Sequence, residues 1–388
     1  MSDHTMTKHP ALSMLEDMIR IQSVNPHFDA SGQGEGSMAD YVERRCKAAG
    51  LAVTRQTVFP GRDNLIIELR VGKPDRTLLF EAHMDTVTLG AMHDALVPTY
   101  KDGKLYGRGA CDTKGSLAGM LYAMEQCAQR PELAGGDLVL CASVDEEHAY
   151  KGLLAFMELD MNIAGAVVGE PTELGITVAH KGCVRVAMTT HGKAAHSSLP
   201  AEGDSAIIQM MKVIRFIHER LEPELASRVH PLCGSPTIVV GTIQGGTQIN
   251  IVPDRCVIEV DRRIIPGERP ETVERELTER LTRELAAEGV KLTVDRLLLD
   301  WALDTPHDAA IVTAAAQAAA AVGLSDRLRG VTYGCDASKL QEFKNIPSIV
   351  YGPGSIAQAH TNDEWVSVAD VERAAEFYLQ LARTFGRS

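Results

Sequence analysis

The sequence lacks long apolar runs, paired cysteines and an excess of basic residues. No apolar stretch reaches the roughly 18 residues that a transmembrane helix needs, which argues against a membrane-spanning protein. The eight cysteines are scattered with no C-x-x-C pair, as expected for a reduced, cytoplasmic protein whose thiols are mostly buried. The first residues contain no apolar segment of the signal-peptide type, so we expect no signal peptide.

The charge balance is acidic, with 39 Lys and Arg residues against 52 Asp and Glu residues and a net charge of -13. Such a chain has no basic excess to neutralise phosphates, so neither nucleic acid nor an anionic membrane is an expected partner. Hydrophobic residues make up 45% of the chain and charged residues 23%, which is ordinary for a globular protein. Because 388 residues exceed one ordinary core, two domains are predicted.

The first part of the chain alternates between short β-rich runs and amphipathic helices. This rhythm predicts an α/β fold with a parallel or mixed sheet flanked by helices, and residues 1–182 form the first part of that domain. Ser37–Asp40 has the spacing of a capping box and predicts a helix start there. The predicted strands are 64–71, 77–82, 137–144 and 164–169, and the other helices are 10–21, 116–128 and 152–159.

The pattern changes near Lys181, where a second domain over residues 183–298 is predicted. Its proportion of strands and helices favours a small α+β domain of ferredoxin-like size. From residue 299 to 388 the α/β pattern returns, so the second domain is predicted to be inserted into the first. The predicted elements are strands 184–190, 237–243, 255–263, 291–298 and 348–351 and helices 204–221, 271–288, 308–321 and 368–385.

Several acids and histidines follow predicted strands of the larger domain or lie in loops after them. In open α/β sheets the functional crevice lies at the carboxyl ends of the strands. A crevice lined by carboxylates and imidazoles suits zinc or a similar divalent ion. The candidate ligands are His83, Asp112, Glu146, Glu147, Glu170 and His360.

Each of these motifs, taken alone, also has an ordinary structural explanation. His83-Met-Asp85 is compatible with a polar turn, although residues i and i+2 of a strand point the same way, so Asp85 could orient a ligating His83. Asp112 could instead cap the helix predicted to begin near residue 116. The acidic run 145–147 could be a solvated loop.

The charge count favours metal ions once the motifs are considered together. Asp112, Glu147 and Glu170 bring three negative charges into one crevice, where they would repel each other without cations. Two divalent ions and a shared hydroxide would leave the cluster near neutral. Two metals about 3.5–4 Å apart polarise a carbonyl and lower the pKa of a bridging water. Glu146 is then the candidate to pass the water's proton to the leaving nitrogen.

With these residues identified, the chain resembles the co-catalytic metallopeptidase family M20. That family includes acetylornithine deacetylase, succinyl-diaminopimelate desuccinylase, aminoacylase and glutamate carboxypeptidase. The resemblance implies a di-zinc exopeptidase-type fold with an inserted lid and dimerisation domain. It also implies that His83, Asp112 and Glu170 hold one zinc ion, and that Asp112, Glu147 and His360 hold the other, with cobalt or manganese as substitutes.

The same resemblance implies roles for residues around the metals. Asp85 would orient His83, Glu146 would be the general acid and base, and the peptide bond between Asp112 and Thr113 would be cis.

Motifs of the predicted second domain and of two loops also resemble the family. His196, in the stretch HGKAAHS, would donate to the developing oxyanion, and it often does so from the partner subunit. Asn250 would contact the substrate, and Arg263 would grip a substrate carboxylate, although a strand-edge charge is the plain alternative for that residue. Gly334 and Gly354 lie in stretches that resemble substrate-facing loops.

We therefore expect a homodimeric di-zinc amidohydrolase that cleaves N-acyl amino acids, with acetylornithine-deacetylase-like activity as the first hypothesis. Alternatives are a glutamate-carboxypeptidase-like or dipeptidase exopeptidase and a desuccinylase-like enzyme. Desuccinylases carry Arg shortly after the position of Asp336, where this chain has Ser338 and Lys339. The chain has Glu rather than Asp at position 170, and in this it resembles the deacylase and carboxypeptidase branches of the family. A rival of another class is a binding protein on an inactive enzyme scaffold, which would be expected to have lost Glu146 or a ligand.

Overall fold

A computed structural model describes residues 8–387 of the chain, which divide into two compact units. The larger unit contains the described residues up to Val178, Thr305–Arg329 and the described residues from Cys335 onwards. The smaller unit contains Ala179–Asp304 and Gly330–Gly334. Over the part of the chain described here, none of the helices has both the length and the apolar character needed to span a bilayer.

The helices and strands are numbered in chain order over both units. The helices are α1 (Pro10–Arg20), α2 (Gly36–Ala48), α3 (Lys114–Gln129), α4 (Lys151–Phe156), α5 (Ala206–Phe216), α6 (Glu222–Ala226), α7 (Pro270–Ala286), α8 (Ala310–Ala321), α9 (Ala337–Lys344) and α10 (Val368–Thr384). The strands are β1 (Ala52–Phe59), β2 (Arg62–Leu69), β3 (Leu78–His83), β4 (Thr99–Lys101), β5 (Lys104–Tyr106), β6 (Leu138–Ser143), β7 (Gly165–Val168), β8 (Ile176–His180), β9 (Gly182–His191), β10 (Ala195–His196), β11 (Thr237–Gly245), β12 (Ile251–Val252), β13 (Arg255–Ile264), β14 (Leu292–Asp300), β15 (Leu303–Asp304), β16 (Leu328–Val331), β17 (Ser348–Val350) and β18 (Trp365–Ser367).

The larger unit is built on a mixed sheet in the order β1-β2-β6-β3-β7-β17-β8. Its central strands β6, β3, β7 and β17 run parallel to one another, and every residue of these four strands is buried. Strands buried on both faces read as continuous apolar runs, which is why the sequence predicts them well. Since parallel strands end at one edge, the loops after β3, β6, β7 and β17 emerge together. The predicted α/β class, with a mixed sheet flanked by helices, is confirmed.

The helices of the larger unit pack through close contacts between α3 and α10 and between α3 and α1. Gly119 allows the first approach, because a Cβ there would lie 3.0 Å from the ring of Tyr378. All eight cysteines of the chain are buried free thiols, as their scattered spacing predicts.

The start of helix α2 corrects the capping-box prediction at Ser37. The helix begins at Gly36 with Glu35 as its N-cap, and no side chain caps it. The Glu35 carboxylate accepts hydrogen bonds from Nε and Nη2 of Arg62 instead. A buried ion pair with a distant residue has replaced the local cap that the spacing suggested.

The smaller unit has a βαββαβ arrangement, formed by β9, α5, β11, β13, α7 and β14. Its antiparallel sheet has the order β11-β13-β9-β14, which is the ferredoxin-like arrangement. The helix predicted over 204–221 begins later, because the Ser205 side chain caps it by accepting from the Ile208 N–H. Its α-helical part ends at Phe216 and continues as a π-helical turn over Ile217–Leu221.

Candidate metal centre

Ligand-type side chains converge at the carboxyl edge of the larger unit's sheet. His83 is the last residue of β3, and the loop after β6 carries Glu146 and Glu147. Glu170 follows β7, and His360 lies in the long loop after β17. Asp112 lies just before α3. The structure therefore brings together the six ligand-type residues that the sequence singles out.

Asp112 lies between the two histidines, with one carboxylate oxygen facing each. Its Oδ1 is 3.1 Å from His83 Nε2, and its Oδ2 is 3.2 Å from His360 Nε2. A second carboxylate accompanies each imidazole: Glu170 Oε1 is 3.8 Å from His83 Nε2, and Glu147 Oε2 is 3.1 Å from His360 Nε2. Two sets of nitrogen and oxygen donors therefore meet at one shared carboxylate.

The ligand-type residues of the cluster form two overlapping groups. The ligand atoms of His83, Asp112 and Glu147 lie within 4.8 Å of one another, and so do those of His83, Glu146 and Glu170. Glu146 is thus as close to the cluster as the predicted ligands. Its position fits either a ligand or a proton-transferring group, and metal content in a Glu146 variant distinguishes the two.

The electrostatics of the cluster show that it attracts positive charge. Burial raises the pKa of Glu146 to about 8, and burial followed by repulsion from Asp112 raises the pKa values of Glu147 and Glu170. Hydrogen bonds to Asp112 and Glu147 raise the pKa of His360 to about 10. Carboxylates that repel one another are stabilised by a cation, and the nitrogen and oxygen atoms of this cluster are donors that zinc-like ions accept. The residues present therefore fit a divalent metal centre.

Asp112 itself behaves differently from the other acids of the cluster. Burial alone would raise the pKa of its carboxyl, but the hydrogen bonds from His360 and His83 outweigh burial and lower it below the usual range. Asp112 is therefore the acid that keeps its negative charge more readily than Glu146, Glu147 and Glu170.

Metal binding to the metal-free protein is expected to release protons at pH 7. The cause is that ligands must be deprotonated to bind a metal, whereas the pKa of His360 is raised to about 10 and the pKa values of Glu147 and Glu170 are also raised. Titration calorimetry with zinc in buffers of different ionisation enthalpy measures the protons released, and about one or two per chain are expected. Equal heats in all buffers would contradict the prediction.

Asp85 contacts both His83 and the loop that carries the glutamates. The His83 Nδ1–H donates to the Asp85 backbone carbonyl at 2.9 Å, which turns the other ring nitrogen, Nε2, toward Asp112 Oδ1 at 3.1 Å. The Asp85 carboxylate lies 3.6 Å from Nδ1 and accepts the backbone N–H groups of Glu146 and Glu147, each at 3.2 Å. Its carboxylate therefore also fixes the glutamate loop, which the sequence does not suggest.

The segment around Asp112 is held by a buried acid that sequence reasoning missed. Glu364 accepts backbone N–H bonds from Gly109, Cys111 and Asp112 at 2.9–3.1 Å, and Arg108 Nη1 donates to it at 2.8 Å. Both members of this ion pair are almost completely buried. The only sequence signal is that Glu364 lies four residues after His360, on a stretch that is otherwise polar.

Replacing Glu364 by Gln should destabilise the metal-free protein by about 3–5 kcal/mol, because Arg108 would be left buried without a counter-charge. Urea unfolding followed by circular dichroism measures the change. Asp40→Asn is the matched control, since it breaks the exposed pair with Arg55 and should shift the unfolding midpoint far less. Equal midpoints for the two variants would show that the buried pair does not stabilise this segment.

Three further features of this region agree with the sequence analysis or refine it. The peptide bond between Asp112 and Thr113 is cis, which confirms the prediction. Thr113 is the N-cap of α3 and makes no side-chain cap bond, and the Asp112 carboxylate faces the two histidines. Gly354 has a positive φ of 81, and a Cβ there would lie 2.5 Å from Cys111 Sγ, so the glycine permits close approach of two loops.

The remaining predicted site residues lie in the smaller unit. His196 pairs with Ile251 between β10 and β12, next to Asn250, and its Nδ1 is 2.8 Å from Ser198 Oγ. Arg263 is on β13, where its Nε donates to Asp261 Oδ1 at 2.8 Å.

Gly334 is the other predicted site residue of the smaller unit. A Cβ at this position would lie 2.7 Å from an oxygen of Asp300 and 2.9 Å from the backbone oxygen of Lys181. The smaller unit therefore brings His196 and Asn250 together and places Gly334 against another segment.

A cluster of carboxylates and imidazoles at the carboxyl edge of a mixed sheet defines a metal-dependent hydrolase. Residues 79–384 match the model of peptidase family M20/M25/M40, so the chain belongs to this family. It is 32% identical over 347 residues to acetylornithine deacetylase of Myxococcus xanthus, a match that covers 87% of this chain and 88% of that protein.

Two other relatives extend the comparison. A probable succinyl-diaminopimelate desuccinylase of Staphylococcus epidermidis is 26% identical over 392 residues, covering 93% of this chain and 94% of that protein. A tripeptidase of Staphylococcus aureus has a similar structure, with a TM-score of 0.79, 24% identity and 98% of each chain covered. The structural likeness supports the fold alone.

Proposed function

We propose that the chain is a di-zinc amidohydrolase that releases an amino acid from an N-acyl amino acid. The observation that carries this proposal is the position of Asp112, whose two oxygens each face a different imidazole. His83 and Glu170 would hold one ion, Glu147 and His360 the other, and Asp112 would belong to both. When bound, such a pair of ions polarises the amide carbonyl and lowers the pKa of a water molecule.

Glu146 has the properties that proton transfer in this reaction requires. Its carboxyl lies within the cluster, where its ligand atom is within 4.8 Å of those of His83 and Glu170. A carboxylate at this place can accept a proton from the attacking water and return it to the leaving nitrogen. Asp85 would hold both Glu146 and His83 in place through the contacts described above.

His196, Asn250 and Arg263 are proposed to contact the substrate. The support is the family motif around each residue. His196 would donate a hydrogen bond to the carbonyl oxygen as that oxygen gains charge, and Arg263 would bind the substrate carboxylate. Arg263 is already paired with Asp261. A substrate carboxylate would therefore share the guanidinium with Asp261 or displace Asp261 from it.

The substrate proposed first is an N-acetyl amino acid with a basic side chain, since the chain resembles an acetylornithine deacetylase over most of its length. The alternatives are a C-terminal peptide or acyl-glutamate and an N-succinyl amino acid, and the latter is disfavoured by Ser338. Zinc-loaded protein should be assayed against N-acetyl-ornithine, N-succinyl-diaminopimelate, acyl-glutamates and dipeptides, with the released amine measured. Highest kcat/KM for the acetylated amino acid supports the proposal, and a clear preference for another class would replace it.

We also propose that the chain forms a homodimer through the smaller unit. Helix α5 exposes Ile208 and Met211, and the edge strand β11 exposes Val239 and Ile243, each more than half exposed. An unpaired edge strand flanked by apolar side chains is a surface that proteins normally cover. A second copy of the chain would cover it symmetrically.

Replacing Ile208 and Met211 together by Asp should convert a dimer into a monomer, because two charges would be buried without partners in the interface. Light scattering coupled to size-exclusion chromatography gives the mass directly. Val97→Asp, at an exposed apolar residue of the larger unit, is the control and should leave the mass unchanged. A wild-type chain that elutes as a monomer would refute the dimer.

A further inference from the structure

Asn25 is far in sequence from the residues of the metal centre, but its side chain forms hydrogen bonds with two acids that lie next to that centre. The side chain is completely buried. Its amide nitrogen donates one hydrogen bond to Asp85 Oδ2 at 2.9 Å and the other to Asp145 Oδ1 at 3.0 Å. Its amide oxygen accepts the His27 N–H at 3.1 Å, and its backbone N–H donates to the Thr86 carbonyl at 2.9 Å. Both amide donors are therefore directed at carboxylates, and the local turn fixes the orientation of the amide.

The two carboxylates that Asn25 joins control the loop carrying the glutamates. Asp85 accepts the backbone N–H groups of Glu146 and Glu147, and Asp145 is the residue directly before them. Asp145 has a positive φ of 66, a left-handed conformation that costs free energy in a residue other than glycine. Such a conformation persists where several contacts fix it, and Asn25 supplies one of them.

The charges around Asn25 explain why an amide is needed there. Asp85, Asp145 and Glu35 are all almost completely buried, and Arg62 is the cation that contacts two of them. Among the described residues, no donor meets Asp145 Oδ2. Asn25 therefore provides one of the few hydrogen bonds to a buried charge, and it does so without adding charge. An Asp of the same size would add another carboxylate beside those of Asp85 and Asp145.

A second contact joins the same segment to the glutamate loop. The ring of His27 stacks on that of His148, with 3.4 Å between ring centroids and an interplanar angle of 23°. His148 follows Glu147 directly. The turn that begins at Asn25 therefore holds the loop both from its buried side, through Asp145, and from its exposed side, through His148.

We propose that Asn25 is a positioning residue that sets the place of Glu146 and Glu147 relative to His83 and Asp85. It does so through its two hydrogen bonds to Asp85 and Asp145. The consequence for turnover rests on the proposed function of Glu146, whereas the restraint on the loop does not. A positioning role of this kind predicts an effect on kcat, because a displaced proton-transferring group slows the chemical step more than it weakens substrate binding.

The experiment compares Asn25→Ala and Asn25→Asp with Thr305→Val in full-length protein. Thr305 is buried in the same unit, and its hydroxyl donates to the Ser348 carbonyl away from the metal centre. The Thr305 variant therefore controls for general loss of stability. The first measurement is hydrogen exchange by mass spectrometry on metal-free protein, read for the peptide covering residues 144–150. The second is kcat and KM of the zinc-loaded enzyme, with the zinc content measured for each variant.

Both Asn25 variants are expected to exchange faster in residues 144–150 than the wild type and the Thr305 variant. Their kcat should be about 10–100-fold lower, the usual loss when a partner behind the ligands is removed, with KM changed far less. Asn25→Asp keeps the size of the side chain, so it tests the amide even if Asn25→Ala is poorly folded. Unchanged exchange in that peptide, together with kcat equal to that of the Thr305 variant, would overturn the proposal.

The two readouts separate this proposal from the proposed function. If the wild type hydrolyses none of the tested amides, the exchange measurement still decides whether Asn25 restrains the loop. If the wild type is active and Asn25→Asp loses kcat without faster exchange, the loss comes from another cause and the positioning role is refuted.

Discussion

Replacing Glu146 by Gln is expected to lower kcat by about 10²–10⁴-fold while the zinc content stays at the wild-type level. Gln has nearly the same shape as Glu and can accept hydrogen bonds, but it cannot take a proton from water and return it to the leaving nitrogen. The expectation follows from the place of Glu146 in the cluster, where its ligand atom lies within 4.8 Å of those of His83 and Glu170. The measurement is kcat on the best substrate, together with zinc content by inductively coupled plasma mass spectrometry.

The control for this variant is Glu158→Gln, at an exposed position of the same unit, which should leave both quantities unchanged. Two outcomes would contradict the proton-transfer role of Glu146. A near-normal rate would show that another group moves the proton. Loss of zinc would show that Glu146 is a ligand beside His83 and Glu170, the alternative that the distances allow.

Replacing Asp112 by Asn should have an even larger effect on the metal centre. One of the two carboxylate oxygens becomes an amide nitrogen, which has no lone pair for a metal, so at most one of the two sites keeps this ligand. The negative charge that His83 and His360 share is also lost. Bound zinc should fall from two per chain to one or none, and kcat/KM should fall by at least about 10³-fold, because metal assistance contributes several kcal/mol.

Asp102→Asn is the matched control for the Asp112 variant. Asp102 is an exposed turn residue with a positive φ of 52, a conformation that Asn adopts as readily as Asp. It should keep full zinc content and activity. If Asp112→Asn bound two zinc ions per chain, Asp112 would not be the residue that the two sites share.

The sequence predicts those parts of the structure that depend on local pattern. Buried strands such as β3 and β6 are short apolar runs, and the ligand-type residues His83, Glu146 and Glu147 come at or just after their ends. Because parallel strands end at the same edge, that pattern suffices to predict that these side chains meet. The geometry around Asp112 could be anticipated only through the family resemblance, since one acid near a helix start usually caps it.

The supporting contacts could not be predicted, because they join residues that are distant in sequence. Glu364 holds the segment before α3 across about 250 positions, and Asn25 reaches Asp145 across 120. Single polar residues in loops have no periodicity to mark them, and their value depends on neighbours that only folding brings near. The same reason explains why the predicted capping box at Ser37 was wrong. The N-cap of α2 is Glu35, and its carboxylate accepts a hydrogen bond from Arg62.

The order in which the strands of the smaller unit pair could also not be predicted from the sequence pattern. Alternation along β9 and β13 predicts strands, but the order β11-β13-β9-β14 depends on how the connections cross. The short segment Gly330–Gly334 belongs to the smaller unit although the chain around it returns to the larger one. Gly330 lies against Leu232, where a Cβ would be 2.6 Å from the backbone oxygen, and no local pattern marks such a contact.

The most direct test of a shared Asp112 carboxylate is anomalous diffraction at the zinc edge from crystals of the zinc-loaded protein. Two anomalous peaks are predicted. One should lie within bonding distance of Asp112 Oδ1 and His83, and the other within bonding distance of Asp112 Oδ2 and His360. A single peak, or two peaks of which one lies away from the Asp112 carboxylate, would contradict the two-metal centre.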